Sequence, residues 1–392
     1  MFALYACTGT VPHKPEEEKP AKAAVVAEKP AAAETIPATP PAAVESVPLP
    51  APPVLPTVKP FPHIALLLPL ESPVFGPSAD AVKQGFMAAI NPKRQLLPVR
   101  VYSNFDENSG VVAIYRQAIA NGARAVVGPL TRSGVSALAA EKDIPVPTLA
   151  LNIVEGQPAK QLYFFGLSVE AEARQAAQLA KQQGLHQAII ITIRSQLSQR
   201  MQAAFEEEWS GPGRGILREI EFNDDSAVFA DIADINDTTV FLATDAEKSR
   251  LIRPYLPNKL PIYATSQIFS GNDNTLTNYD LNGIRFVDMP WLLQPDHPAV
   301  MIYPRASPPL STDRERLYAL GIDSFRLIQL LLSDRIASAM PLDGVTGQID
   351  LGGHTFQRTP IPAVFVQGRA QLPNMPAAPT PQIFPDRSIN TQ

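Results

Sequence analysis

From Phe61 almost to the end of the chain, short apolar runs of strand length alternate with helical stripes, and this alternation limits the fold more than any other feature. Ile64-Ala65-Leu66-Leu67-Leu68 is a continuous apolar run closed by Pro69, the pattern of a parallel strand buried on both faces. Ser78 is placed to cap a helix carrying Val82, Phe86, Ala89 and Ile90 on one face. Further strands are expected at 99–102, 125–127, 147–151, 188–193, 216–222, 240–242, 262–264 and 284–287. Helices are expected at 109–120, ended by Asn121-Gly122, and at 135–140, 197–209, 247–255 and 317–332. Ser168 opens another, with Val169, Ala173, Ala176, Ala177 and Ala180 on one stripe, Glu170 and Glu172 in the first turn where the helix dipole favours them, and Gly184 as its stop. Strands alternating with helices of about ten to fifteen residues imply βαβ units and parallel sheets. There are too many units for one doubly wound sheet of ordinary size. The expectation is an α/β protein over 61–372 with two lobes, each a mainly parallel sheet flanked by helices.

The flanks differ in kind. Between residues 8 and 60, thirteen of 53 residues are Pro, eleven are Ala, and none is aromatic. Such a stretch buries too little apolar surface to offset its ordering entropy. It reads as a linker in polyproline II, at roughly 3.1 Å per residue. Residues 373–392 are again Pro-rich and read as a tail. Ahead of the linker, residues 1–7 end in Leu4-Tyr5-Ala6-Cys7, which resembles a lipobox, with Cys7 as the lipidated residue, although the basic start and full apolar length of a signal peptide are lacking. Thr8, not Asp, follows, which in Gram-negative lipoproteins implies the outer membrane, periplasmic face. Two acyl signals suffice for stable anchoring.

Several functions are disfavoured. The net charge is −5, so no basic surplus exists to neutralise nucleic-acid phosphates. Cys7 is the one cysteine, which rules out a disulfide within the chain. No apolar stretch has the length of a membrane-spanning helix. His13, His63, His186, His297 and His354 fall at no metal-ligand spacing, there is no phosphate-binding loop or nucleophile elbow, and Gly211–Gly215 lies between a helix and a strand, the reverse of a phosphate cradle. No catalytic residue, metal or cofactor is expected.

The remaining candidates are binding residues. In open α/β sheets, ligands sit beyond the carboxyl ends of the strands. Thr131, Arg132, Ser133, Asn152, Thr265, Ser266 and Gln267 occupy such positions. They either hold a zwitterion or cell-wall peptide in a cleft, or cap helices and join the lobes. The stretch from Tyr263 to Gln267 is expected to begin a crossing between lobes. Trp291, followed by two leucines, is either a partner-contact residue or a core residue.

Ordered blocks add a resemblance. Ile64 to Leu70 with Gly85-Phe86, and Val127-Gly128-Pro129-Leu130, resemble type I periplasmic binding proteins. Five more blocks follow: Phe165-Gly166-Leu167-Ser168 with Glu170, Glu172, Ala173 and Arg174; Leu260 to Gln267; Asp280-Leu281 with Gly283 and Asp288-Met289-Pro290-Trp291; Leu317 to Asp323; and Gly344-Val345-Thr346-Gly347. Together they resemble the LppC family of lipoproteins over about 61–370. Long members carry a helical-repeat domain ahead of this module; here that stretch reads as the Pro/Ala linker, so nothing of that domain carries over. The resemblance implies a type I periplasmic-binding-protein-like fold and an outer-membrane lipoprotein that binds a class A penicillin-binding protein and stimulates peptidoglycan synthesis and crosslinking, with peptidoglycan itself a further partner and no reaction of its own. The alternative is a periplasmic solute receptor for amino acids or cell-wall peptides.

Overall fold

The computed structural model describes residues 60–373 except 91–96 and positions 104, 106, 108, 234 and 274, all within the compact unit Val58–Gln392. Cys7, expected to be lipidated, residues 8–59 of the expected linker and residues 374–392 of the expected tail lie outside the described residues.

The first lobe opens with β1 (His63–Leu68), α1 (Gly76–Ala88), β2 (Val99–Ser103), α2 (Val111–Ala120), β3 (Ala123–Val127), α3 (Arg132–Ala139), β4 (Thr148–Ala150) and β5 (Leu162–Phe165). The second takes α4 (Val169–Gln182), β6 (Gln187–Ile193), α5 (Gln196–Trp209), β7 (Gly215–Phe222), β8 (Thr238–Ala243), α6 (Ala246–Ile252), β9 (Ile262–Ala264) and β10 (Ile284–Asp288). The chain returns to the first lobe with α7 (Pro290–Leu293), α8 (Pro298–Met301), α9 (Thr312–Leu332), α10 (Ile336–Ala339), β11 (Leu342–Gly344), β12 (Gly347–Gly352) and β13 (Thr355–Thr359). It ends in the second lobe with β14 (Ile361–Val366) and β15 (Arg369–Gln371).

The two sheets repeat one plan. In the first lobe the parallel order is β2-β1-β3-β4-β5, extended by β13 parallel to β5 and then antiparallel β12 and β11. In the second it is β7-β6-β8-β9-β10, extended by antiparallel β14 and β15. The apolar run of β1 is buried on both faces: Ile64, Leu66 and Leu68 enter the core shared with α1 and α9, and Ala65 and Leu67 the core shared with α2 and α3. Helices α1 and α9 cross backbone to backbone at Gly85 and Gly321, where a Cβ would lie 1.8 Å from the Tyr318 carbonyl oxygen and 2.1 Å from that of Val82.

Some sequence expectations need correction. Helix α1 starts at Gly76 with Phe75 at its N-cap, so Ser78 is not the cap; Pro77 sits in the first turn, where its fixed φ suits a helix start. Helix α3 starts at Arg132, earlier than expected, because Thr131 caps it. The helix expected at 247–255 ends at Ile252 and tightens into a 3₁₀ turn, Arg253–Tyr255, since Pro254 has no N–H to continue the ladder. Strands β5 and β11 to β15 were not anticipated. Nor does the chain leave the second lobe after Tyr263–Gln267: it turns through Ser266–Ile268 and re-enters the same sheet as β10. Among the described residues the lobe crossings are the segments 166–168, 289 and 360, after β5, β10 and β13.

Candidate functional site

The carboxyl ends of the parallel strands in both lobes meet at the crossings, so the interlobe cleft forms there. Asn152 lies just past the end of β4 and Gly166 follows β5, and Ser168 caps α4 by accepting from the Ala171 N–H at 3.1 Å. Arg132 enters from α3, Glu170 and Arg174 from α4, and Arg200 from α5. The cavity that Arg132, Asn152, Gly166, Glu170, Arg174 and Arg200 help to line has a volume of about 220 Å³, and it shares residues with larger hollows of about 440 and 480 Å³.

Its charges are already matched. Glu170 Oε1 accepts from Arg200 Nε at 2.7 Å and lies 2.6 Å from Arg200 Nη2. The same oxygen lies 3.8 Å from Arg132 Nη1 on the other lobe, and Oε2 accepts from the Ser168 hydroxyl at 2.9 Å. Burial pushes the Glu170 carboxyl up, but its own backbone N–H, Arg200 and Ser168 outweigh that and hold it below the usual carboxylate range. Arg174 is paired in turn with Glu207 Oε2 through Nε at 3.1 Å and Nη2 at 2.6 Å. A carboxylate supplied by the protein therefore sits where an incoming anion would meet the cleft guanidiniums.

Beneath the cleft lies a buried ionic hinge. Glu172, 2 % exposed, reaches from α4 to Arg358 on β13 in the other lobe, and its second oxygen accepts from the Ser266 N–H at 3.0 Å. From α9 of the first lobe, Arg316 donates to Asp288 Oδ2 at 2.7 Å and to the carbonyl oxygens of Ser266 at 2.9 Å and Phe269 at 2.7 Å in the second. Burial pushes the Asp288 carboxyl up, only partly countered by Arg316, while the Asp288 charge outweighs burial at Arg316 and keeps the guanidinium ionised. Asp323, fully buried on α9, accepts from the backbone N–H groups of Val345 at 3.2 Å and Thr346 at 2.8 Å and from the Thr346 hydroxyl at 2.7 Å. It fixes the β11–β12 turn beside the hinge.

The expected site residues separate on this geometry. Arg132 and Asn152 line the cavity. Thr131 and Ser133 do not: Thr131 Oγ1 accepts from the Gly134 N–H at 3.1 Å and lies 3.2 Å from Ser133 Oγ, so both serve the start of α3. Thr265 and Ser266 are buried under the hinge, and the Gln267 N–H donates to Thr265 Oγ1 at 3.4 Å. They belong to the lobe junction because both polar groups of the Ser266 peptide are bound by Glu172 and Arg316. Trp291 is a core residue and offers no partner surface: it is 0 % exposed, its Nε1 donates to Glu315 at 2.6 Å, and Arg305 covers its ring at 3.8 Å. Arg174, Arg200 and the paired charges of the hinge escaped the sequence reading. A signal existed in the carboxylate of Glu172, which falls on the buried stripe with Val169, Ala173 and Ala176 and so demands a buried partner. No group of His, Cys, Asp and Glu among the described residues could hold a metal ion, and no described helix is long and apolar enough to cross a membrane.

Two lobes of parallel sheet, three crossings and a cleft over them define a periplasmic-binding-protein-like module. The chain belongs to the family described as "LppC putative lipoprotein", which matches residues 54–239 and 228–358. Among curated relatives, the penicillin-binding protein activator LpoA of Photobacterium profundum is 28 % identical over 329 residues, covering 74 % of this chain and 53 % of that protein. LpoA of Haemophilus influenzae is 28 % identical over 300 residues, 73 % of this chain and 50 % of that one. The chain thus spans about half the length of the curated relatives it matches. Of solved structures, full-length Haemophilus influenzae LpoA aligns with a TM-score of 0.68 at 25 % identity, over 79 % of this chain and 58 % of that one. The LpoA C-domain of the same species, described as a regulator of PBP1A, aligns at 0.66 and 25 % identity over 79 % and 99 %. A Chromobacterium violaceum protein described as "a putative branched-chain amino acid ABC transporter" aligns at 0.66 and 37 % identity over 77 % and 99 %.

Proposed function

We propose that this protein is a lipid-anchored activator of a class A penicillin-binding protein. Cys7 carries the anchor in the outer membrane, residues 8–60 act as the tether, and the module of 61–372 binds the synthase from the periplasmic face and raises its rate of peptidoglycan synthesis and crosslinking. The observation that carries this reading is the LppC match across 54–358 together with relatives named penicillin-binding protein activators. The near-complete alignment with an LpoA C-domain supports placing the activity in this module. The geometry supports it too: a cleft whose guanidiniums are paired and a hinge tied by buried charge suit a body of fixed shape that docks onto a partner. Activation needs only that the module prefer the partner's active state, and a coupling of about 1–3 kcal/mol is typical of such control.

A second reading, a solute receptor, is favoured by the 37 % identity to the Chromobacterium violaceum protein. It requires a free amino acid or wall peptide to displace Glu170 from Arg200 and Arg132. The deciding experiment mixes the full chain with a class A penicillin-binding protein of its own organism and follows binding and crosslinking rate. Saturable binding with faster crosslinking is expected. No binding and no rate change would overturn the activator reading, and a thermal shift with amino acids or muropeptides, absent from Arg200→Glu, would then favour the receptor.

A further inference from the structure

Away from the cleft, on the α4 side of the second sheet, Tyr263 of β9, Arg285 of β10, Val364 of β14 and Gln371 of β15 stand side by side in cross-strand register. Helix α4 packs over β8, β9 and β10. Its last turn, through Leu179 and Gln183, forms one wall of an apolar hollow of about 390 Å³, with Arg285, Pro362, Val364 and Pro373 among the others. Along β14, Pro362, Val364 and Val366 alternate onto this face, and Val366 is exposed. The hollow shares no lining residue with the cleft.

Two features of the hollow point to the segment that follows it in the chain. First, the chain leaves at its rim. Strand β15 pairs antiparallel with β14 through Val364 and Gln371, and two residues further on Pro373 lies in the wall with Pro362. Residues 374–392 are therefore tethered at the hollow itself. Second, the hollow carries a cation. The Arg285 guanidinium is half-buried, lies 5.7 Å from the Tyr263 ring centroid, and forms no ion pair with another described residue. A carboxylate brought to such a partly desolvated guanidinium gains a charge-assisted hydrogen bond stronger than a surface pair. The segment matches both features. Residues 374–392 hold one aromatic residue, Phe384, and one acid, Asp386, within Ile383-Phe384-Pro385-Asp386. Pro385 keeps this stretch extended, which sets the ring and the carboxylate about 6 Å apart along the chain. A tether of about ten residues holds Phe384 near the hollow at an effective concentration on the order of millimolar, so even weak docking is populated within one chain.

We propose that residues 383–386 dock on this hollow of their own chain, with Ile383 and Phe384 against Leu179, Pro362 and Val364 and the Asp386 carboxylate paired with Arg285. The segment then acts as a clasp over the flank of β14 that α4 leaves uncovered. An apolar hollow open to water invites a foreign chain, and closing it from within removes that liability.

The test uses the full chain with Cys7→Ser, which removes the one native thiol, and nitroxide labels on Gln182→Cys, exposed at the end of α4, and on Ser388→Cys. Pulsed electron paramagnetic resonance should give one narrow distance population. Phe384→Ala and Asp386→Arg should each broaden it to the spread of a free tether of about fifteen residues. Neither substitution lies within the described lobes, so both leave the packing of the module intact. Arg285→Asp should broaden it as well, and Arg285→Asp combined with Asp386→Arg should restore the narrow population, because the swap rebuilds the pair. A broad distribution in the parent chain would overturn the proposal, and so would a narrow one that survives Phe384→Ala and Asp386→Arg. A narrow population that disappears when labelled chain is diluted into excess unlabelled chain would put the segment on a second copy and overturn docking within one chain.

Discussion

Replacing Arg316 by Met takes the cation out of the hinge while keeping most of its volume. The Arg316 side chain is 7 % exposed and that of Asp288 1 %. The substitution strands the Asp288 carboxylate in the interior, its remaining support the Met289 N–H at 2.8 Å, and it leaves the carbonyl oxygens of Ser266 and Phe269 without the donor they share. Removing one partner of a buried ion pair costs roughly 3–5 kcal/mol, most of it the penalty of the uncompensated charge. With an unfolding entropy of about 2.1 cal/mol/K per residue over roughly 310 residues, that loss lowers Tm by roughly 5–8 °C. The double variant Arg316→Met, Asp288→Leu should recover most of it, because the stranded charge is then gone. A pH dependence follows. Without Arg316 the folded-state pKa of Asp288, already raised by burial, rises further, so the folded state binds the proton more readily than the unfolded chain. The deficit should be largest near pH 8 and shrink as the pH falls through that raised pKa. Thermal and urea unfolding of the full chain, followed by circular dichroism, supply the measurements. A single-variant loss below about 1 kcal/mol, or strictly additive effects in the double variant, would refute the claim that this pair ties the lobes through a buried charge.

Three further outcomes are expected. Glu170→Gln should cost about 1 kcal/mol at pH 7. Because the folded-state pKa of Glu170 is lowered from 4.5, its contribution is present above that value and lost as the pH falls through the folded pKa, so the gap to wild type should narrow as the pH is taken below 4.5 in melting experiments. Gly321→Ala should cost about 3 kcal/mol or more, since the new Cβ meets backbone atoms of α1, Val82 O at 2.1 Å and Phe86 N at 2.7 Å, and the helices must separate; an unchanged urea midpoint would contradict the close crossing. Trp291→Ala should lower stability by roughly 3–5 kcal/mol yet leave the affinity of the folded fraction for a penicillin-binding protein within about twofold, as measured by surface binding at low temperature. A specific loss of affinity would return Trp291 to the contact surface.

Much of the lobe plan was legible. Runs such as Ile64 to Leu68 and Ala188 to Ile191 are buried on both faces, and such strands announce themselves by unbroken apolar content. Ser168 and Gly184 mark the ends of α4 through a side-chain acceptor and a left-handed backbone at φ +76°. The returning strands were harder. Strand β12 alternates buried and exposed residues over Gly347 to Asp350, a weak signal in so short a piece, and β5 has four residues. Of the cleft, Arg132 and Asn152 were accessible from strand-end reasoning. Thr265 and Ser266 satisfied the same rule and went to the hinge instead, because strand-end position says where a polar group begins and not which buried charge claims it.

The sequence by itself determined most of the strands and helices of the two parallel sheets, that the sheets are mainly parallel and that there are two lobes, since these follow from periodicities of two and 3.6 residues and from end signals a few residues long. It also carried the family blocks. Only the tertiary structure decided that Glu172 meets Arg358, 186 residues away, that Arg316 meets Asp288 and that Glu170 stands among the cleft guanidiniums. Those outcomes depend on which side chains share a low-dielectric space after the chain has crossed between lobes, and no local pattern encodes a pairing between charges so far apart along the backbone.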